Sequence, residues 1–255
     1  MSMHPALHRW LDRYRQQGGS RKTHRWAQVL MLAAAVVILL VPIRPGARPV
    51  IPLFSSQPAA AVHATSVRRV DFAAEDASAD ARRLAHWVVA TVDNGPLNFA
   101  ILDKKNAKVF VFRATGQLIG ASPVLLGYAA GDDSVAGIGK RPIEAVQPAE
   151  RTTPAGRFRA EPGRNALPED VVWVDYEAAV SMHRVRLTNP AEHRAERLQS
   201  SNVKDRRISY GCINLPPAFF EQVLWPNFRR RGGIVYVLPE VKTLDAVFPG
   251  LGATT

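Results

Sequence analysis

Arg207-Ile208-Ser209-Tyr210-Gly211-Cys212-Ile213-Asn214-Leu215-Pro216-Pro217 holds the only cysteine of the 255-residue chain. Ile208 closes a short polar segment and Gly211 frees the backbone just before the sulfur. Pro216-Pro217 opens residues 218–224, which read as helix with proline in the first turn. A thiol one step ahead of a helix N-terminus lies in the positive end of the dipole, which favours thiolate. By residue type alone a free cysteine is most often buried and inert. The setting of Cys212 between a glycine and an incipient helix favours the reactive reading instead. One cysteine forms no internal disulfide and no four-cysteine metal site, and no metal or cofactor is expected.

Upstream of this turn the chain is rich in short apolar, β-branched runs. Residues 97–102, 108–113 and 118–126 are separated by Asp103-Lys104-Lys105-Asn106 and Ala114-Thr115-Gly116 and predict a three-stranded meander. Val171 to Val174 and Val180 to Val185 predict further strands, and Ile234 to Leu238 a buried one. On the second of these, Ser181, His183 and Val185 share a face under period-2 alternation. Leu84, Trp87, Val88 and Thr91 recur at helical spacing after a capping Asp76 or Ser78, with His86 and Trp87 read as packing residues. Thr152-Thr153-Pro154-Ala155-Gly156-Arg157-Phe158 is a tight turn by its proline and glycine alone. The loop before it carries Gly137-Ile138-Gly139-Lys140, which lacks P-loop spacing, and Asp132 and Asp133, which read as groove border or plain surface charge.

The charge is unevenly placed. Residues 1–25 carry +5 and residues 44–70 carry +4, so of the total of +11 only +2 remains for residues 71–255. A nearly neutral main region removes the case for nucleic-acid binding. The basic excess instead flanks residues 27–43, an apolar run of 17 residues with only Gln28 polar, at the short end of what spans a bilayer. A cleaved signal peptide is the competing reading, but the run exceeds a typical signal core and no small-x-small site closely follows it. The positive flank keeps the N-terminus cytoplasmic and exports the rest. The expected organisation is a basic cytoplasmic segment (1–25), a transmembrane signal anchor (26–43), a proline-rich linker (44–75), a helical lead-in (76–95), a catalytic domain (96–240) and a C-terminal tail (241–255).

Ser209-Tyr210-Gly211-Cys212-Ile213-Asn214 resembles the Ser/Thr-His-Gly-Cys-hydrophobic-Asn/Arg signature of the L,D-transpeptidase catalytic domain, with Tyr210 where that pattern usually has histidine. The Thr-Pro-Ala-Gly-Arg-Phe turn resembles one the same family uses between strands. The resemblance implies a mainly β (α+β) fold with a few short helices, a β-sandwich preceded by a single N-terminal transmembrane helix. It implies a monomeric peptidoglycan transpeptidase acting on stem peptides at the cytoplasmic membrane, with Cys212 as nucleophile and His183 as base. Ser209, Tyr210 and Gly211 would support the loop and its oxyanion hole. Asn214 and Arg207 would contact substrate, although Asn214 also suits a helix cap.

His183 precedes Cys212 by 29 positions, longer than is usual in the family, with a polar helical insertion around residues 191–198 making up the difference. His193, 19 positions before the cysteine, is the rival base, but its charged helical surroundings suit a solvated role. A hydrolase of the same fold and a catalytically inactive, membrane-tethered peptidoglycan-binding module remain alternatives. A general cysteine protease has no local motif in its favour.

Overall fold

The computed structural model describes residues 69–254. The expected cytoplasmic segment, membrane anchor and most of the linker lie outside these residues. Among the described residues no helix is long and apolar enough to cross a membrane.

The architecture is mainly β. Eight strands run in the spatial order β3-β2-β1-β10-β5-β6-β7-β9. They comprise β1 (Phe99–Asp103), β2 (Lys108–Phe112), β3 (Leu118–Pro123), β5 (Gly156–Arg164), β6 (Asp170–Asp175), β7 (Val180–Arg184), β9 (Ile213–Leu215) and β10 (Gly233–Val237), while β4 (Leu126–Gly127) pairs separately with β8 (Arg207–Ser209). The meander expected from residues 97–126 is present as antiparallel β1-β2-β3.

Strand β5 joins two halves. Gly156 to Ala160 pair with β10, and Glu161 to Arg164 pair with β6. Pro162 and Gly163 interrupt any period-2 pattern in residues 159–164, yet these residues complete β5. The structure explains Gly163: a Cβ there would meet the Trp173 indole at 2.7 Å, so the glycine makes room for a neighbouring strand's side chain.

Both faces of the central strands are buried. Ala100, Leu102, Val235 and Val237 face a core shared with Val172, Met182, Ile213, Leu215, Phe220 and Phe228. Their alternating neighbours Phe99, Ile101, Ile234 and Tyr236 face a second core closed by helix α1 (Ala79–Thr91) through Leu84, Ala85 and Val88. Ser78 caps α1, its hydroxyl accepting from the Ala81 N–H at 3.1 Å, and Val92 ends it in the left-handed conformation.

Residues 244–251, within the expected tail, are packed: Leu244, Phe248 and Leu251 recur at helical spacing and are buried in the core that α1 closes. The Trp87 indole N–H donates to Gly250 O at 3.0 Å. Burial of such side chains contributes about 1.5–3 kcal/mol each, which is why the segment folds back. After Cys212 the chain forms β9 before any helix, so helix α3 (Pro217–Phe219) begins beyond the thiol's immediate reach. The helical path runs on through a π-helical turn (Phe220–Leu224) into Trp225–Phe228, which carries Pro226 in its first turn. Pro226 lacks an N–H, and the wider turn ahead of it accommodates that loss.

A buried cation ties the loops together. Lys104 is fully buried, and its Nζ donates to Gly131 O (2.5 Å), Asp132 Oδ1 (2.7 Å) and Thr153 O (2.8 Å), with Glu240 Oε1 at 3.5 Å. Asp132, expected on the surface or at a groove, is buried and accepts the backbone N–H groups of Glu240, Val241 and Lys242. Burial pushes its carboxyl up, but the Lys104 ammonium and the three N–H donors overcome that and hold it at about 2. A carboxyl depressed in the fold stabilises above its unfolded value near 4, and that stability is lost as pH falls through about 2. Asp132→Asn should therefore cost about 3–5 kcal/mol at neutral pH by leaving buried Lys104 with only the longer contact to Glu240, itself paired with Arg207, as counter-charge. Urea denaturation at several pH values should also show a flatter acid limb than in the parent chain.

Candidate active site

The site forms where β7 and β9 run parallel. Their register sets His183 beside Asn214 and Met182 beside Ile213, so the period-2 partner Ser181 falls next to Cys212. The Ser181 and Cys212 side chains meet, Oγ to Sγ at 3.8 Å, and the thiol also reaches Ala179 O at 3.5 Å. Ser181 is buried and Cys212 is partly exposed.

His183 is half-buried. Its Nδ1 lies 2.8 Å from Arg184 O, which can only accept, so Nδ1 carries the proton and Nε2 carries the lone pair. Nε2 receives the Asn214 side-chain N–H at 3.3 Å, and the same Nδ2 is 3.3 Å from Cys212 O. Burial pushes the thiol up, but the hydrogen bond and charge of His183 more than reverse it, so the thiol lies below its ordinary value. Burial pulls the imidazole down, and Cys212 with Arg184 O more than offsets it, so His183 lies above its ordinary value. The opposite shifts are those of two groups that stabilise each other as thiolate and imidazolium. The expected helix-dipole source of acidity is absent, since β9 separates Cys212 from α3.

The turn before the sulfur is held by buried hydroxyls. Ser209 Oγ donates to Cys212 O at 2.6 Å and accepts the Gly211 N–H at 3.1 Å. Gly211 has φ +129°, and a Cβ there would meet Thr152 O at 2.7 Å, so only glycine fits. Thr153 Oγ1 donates to Gly211 O at 2.8 Å and accepts the Gly127 N–H at 2.9 Å. The Thr-Pro-Ala-Gly turn, read from sequence as a turn only, thus holds up the cysteine turn.

Tyr210 is exposed, with the Arg151 guanidinium 3.9 Å above its ring. Arg207 is not presented to the thiol: its guanidinium is ion-paired with Glu240 and donates to Lys104 O at 3.1 Å, so the expected substrate contact is taken up internally. Asn214 is buried on β9 and caps no helix. His193, the rival base, is exposed, adopts φ +49° and has Glu196 as its ion partner at 4.0 Å. A surface hollow of about 500 Å³ is lined by His193, Glu196, Arg197, Gln199, Ser200 and Asp205. It contains neither the thiol nor His183, so shape alone would misplace the chemistry. Among the described residues no group of three or more His, Cys, Asp or Glu side chains is arranged to hold a metal ion.

Sequence reading missed two contributors. Ser181 had been placed only by alternation, and Arg194, on the insertion, donates from Nη1 to Asn214 Oδ1 at 2.6 Å. Neither residue belongs to a local motif, and a two-residue repeat from His183 was the one available signal for Ser181.

No known family profile and no curated protein matches the chain. Among solved structures it is similar to a mutant of the Enterococcus faecium L,D-transpeptidase, at 17% identity over 55% of this chain and 49% of that one, with a TM-score of 0.31. It is similar to an L,D-transpeptidase from Mycobacterium smegmatis at 16% identity, 55% and 58% coverage and a TM-score of 0.32. A structure of the catalytic domain from the E. faecium L,D-transpeptidase is 15% identical, with 56% and 98% coverage and a TM-score of 0.30. The chain spans about half the length of the first of these.

The rate of Cys212 alkylation by iodoacetamide should rise with pH through a midpoint below the ordinary thiol value of 9.0. In His183→Ala the upward push of burial is opposed only by Ser181, so the midpoint should move above that of the parent, while His193→Ala should leave it in place. A midpoint unmoved by His183→Ala would contradict the pairing.

Proposed function

We propose that this chain is a cysteine acyltransferase of the peptidoglycan L,D-transpeptidase type. The observation that carries the reading is the polarised Cys212–His183 pair, set by the β7–β9 register and joined by Ser181 and Asn214. An activated thiol with a coupled base on a neighbouring strand is the arrangement that nucleophilic acyl transfer requires. The choice of a peptidoglycan stem as substrate rests on the resemblance of Ser209-Tyr210-Gly211-Cys212-Ile213-Asn214 and of the Thr-Pro-Ala-Gly-Arg-Phe turn to that family.

In this mechanism the thiol proton passes to His183 Nε2, and the thiolate attacks the carbonyl carbon of the third stem residue. The C–N bond to the terminal D-alanine breaks, and the proton on His183 goes to the leaving amine. The thioester that remains is opened by an acceptor amine, whose proton passes to His183 as the amide cross-link forms and the thiolate leaves. Ser181, its hydroxyl against Sγ, stabilises the thiolate before attack and again on its release. The backbone N–H groups of Tyr210 and Cys212 face the tetrahedral oxyanion. The Gly211 N–H does not join them, because Ser209 holds it. Tyr210 acts as a hydrogen-bonding wall whose ring is held under the Arg151 guanidinium. The anchor at residues 26–43 places this domain outside the cytoplasmic membrane.

Intact-mass measurement of the full-length chain after incubation with a tetrapeptide stem or a carbapenem tests the reading. An acyl adduct is expected on the parent and absent from Cys212→Ala, and it should form at least a hundredfold more slowly in His183→Ala. A parent chain that never acquires the adduct would sink the acyltransferase assignment. Cross-linked dimer against free tripeptide among the products tells amine transfer from hydrolysis.

A further inference from the structure

The chain between His183 and Cys212 carries an insertion that ends next to the base. It begins with a 3-10 turn (Pro190–Glu192), capped by Asn189, whose side-chain oxygen accepts the Ala191 N–H at 3.2 Å. It continues as helix α2 (Arg194–Gln199). His193 between them adopts φ +49°, and this left-handed kink brings Glu192 and Arg194 together as an ion pair. The Arg194 side chain is only 14% exposed, and its Nη1 donates to Asn214 Oδ1 at 2.6 Å.

The Asn214 amide is thereby specified on every side. Guanidinium nitrogens only donate, so the atom facing Arg194 is the amide oxygen. Cys212 O only accepts, so the atom facing it is the amide nitrogen. Turning the amide over would set N–H against guanidinium and oxygen against carbonyl at once. With Nδ2 held in place, His183 Nε2 must accept, which places the imidazole proton on Nδ1 against Arg184 O.

We propose that Arg194, delivered by the insertion helix, is a positioning residue that acts through Asn214 to hold His183 in the Nδ1-protonated form, keeping on Nε2 the lone pair that takes the Cys212 proton once the long 3.3 Å contact from the Asn214 N–H yields. The inference rests on the reading of His183 as the base of Cys212. Arg194 touches neither the thiol nor the imidazole. Without it the amide is anchored only by Cys212 O, and an overturned amide would present Oδ1 to Nε2 and draw the imidazole proton there, which removes the lone pair that accepts the thiol proton. The lengthened His183–Cys212 spacing is then a functional part of the site, because the added residues carry Arg194 to the second layer around the base.

Nitrogen NMR of the full-length chain labelled with 15N-histidine reads this directly, with His183→Ala identifying the resonance. Above its titration the parent His183 should show a protonated Nδ1 and an unprotonated Nε2. Arg194→Ala should give a mixed or Nε2-protonated pattern and slow Cys212 alkylation at neutral pH by roughly 10- to 100-fold, within the share a positioned base contributes. Arg194→Lys, which keeps one cationic donor, should recover part of both. Asn214→Asp pairs with Arg194 yet cannot donate to Nε2, so it should move the proton to Nε2 without touching Arg194. An unchanged tautomer in Arg194→Ala, or in Asn214→Asp if Arg194→Ala does not fold, overturns the proposal. The tautomer is read without substrate, so failure of the parent to acylate with a stem peptide would strike the proposed activity and leave this result standing.

Discussion

A single ammonium group, that of Lys104, sits at the junction where the loops of this domain meet. It is fully buried and holds Gly131 O, Asp132 and Thr153 O, with Glu240 within ion-pair range. A lysine removed from water in this way is tolerable only with full compensation, and the compensating groups come from three distant parts of the chain. Burial pulls the ammonium down while Asp132 and Glu240 resist. The loop leading to β5, the segment after β10 and the start of the Thr-Pro turn are therefore fixed to one another by one charge.

The cysteine turn inherits that fixity. Thr153 gives its carbonyl to Lys104 and its hydroxyl to Gly211 O, one residue before the thiol. Arg207 at the other end of the turn pairs with Glu240, which belongs to the same buried group. Ser209 closes the turn from within. The sulfur is thus held from the loop side by hydroxyls and buried charges, and from the sheet side by Ser181 and His183 on β7. Neither support depends on a helix terminus, and the acidity of the thiol follows from its neighbour across the β7–β9 pairing.

Local features of the chain were readable to different depths. The meander, the His183 strand and the buried strand β10 announced themselves because short β-branched runs between turn residues leave few other options. The α1 cap at Ser78 was legible for the same reason, since serine before a helical repeat has a specific task. Strands β5 and β9 escaped because Pro162, Gly163 and the Cys-Ile-Asn triplet carry turn residues or too few positions for a pattern. Residues 244–251 were legible in principle through the spacing of Leu244, Phe248 and Leu251, which the prolines and glycines around them masked.

The sequence by itself determined the single thiol at Cys212, its glycine-led turn and the strand face shared by Ser181 and His183. Each of these follows from residue type and a repeat of two, which are local properties. Only the tertiary structure decided that Lys104 and Asp132 are buried partners, that Arg207 serves Glu240, and that Arg194 reaches Asn214. Those pairings join residues 20 to 33 positions apart, as in Arg194–Asn214 and Arg207–Glu240. A charged residue in a turn looks the same in sequence whether it faces water or a buried carboxylate, and only the packing of the surrounding chain settles which.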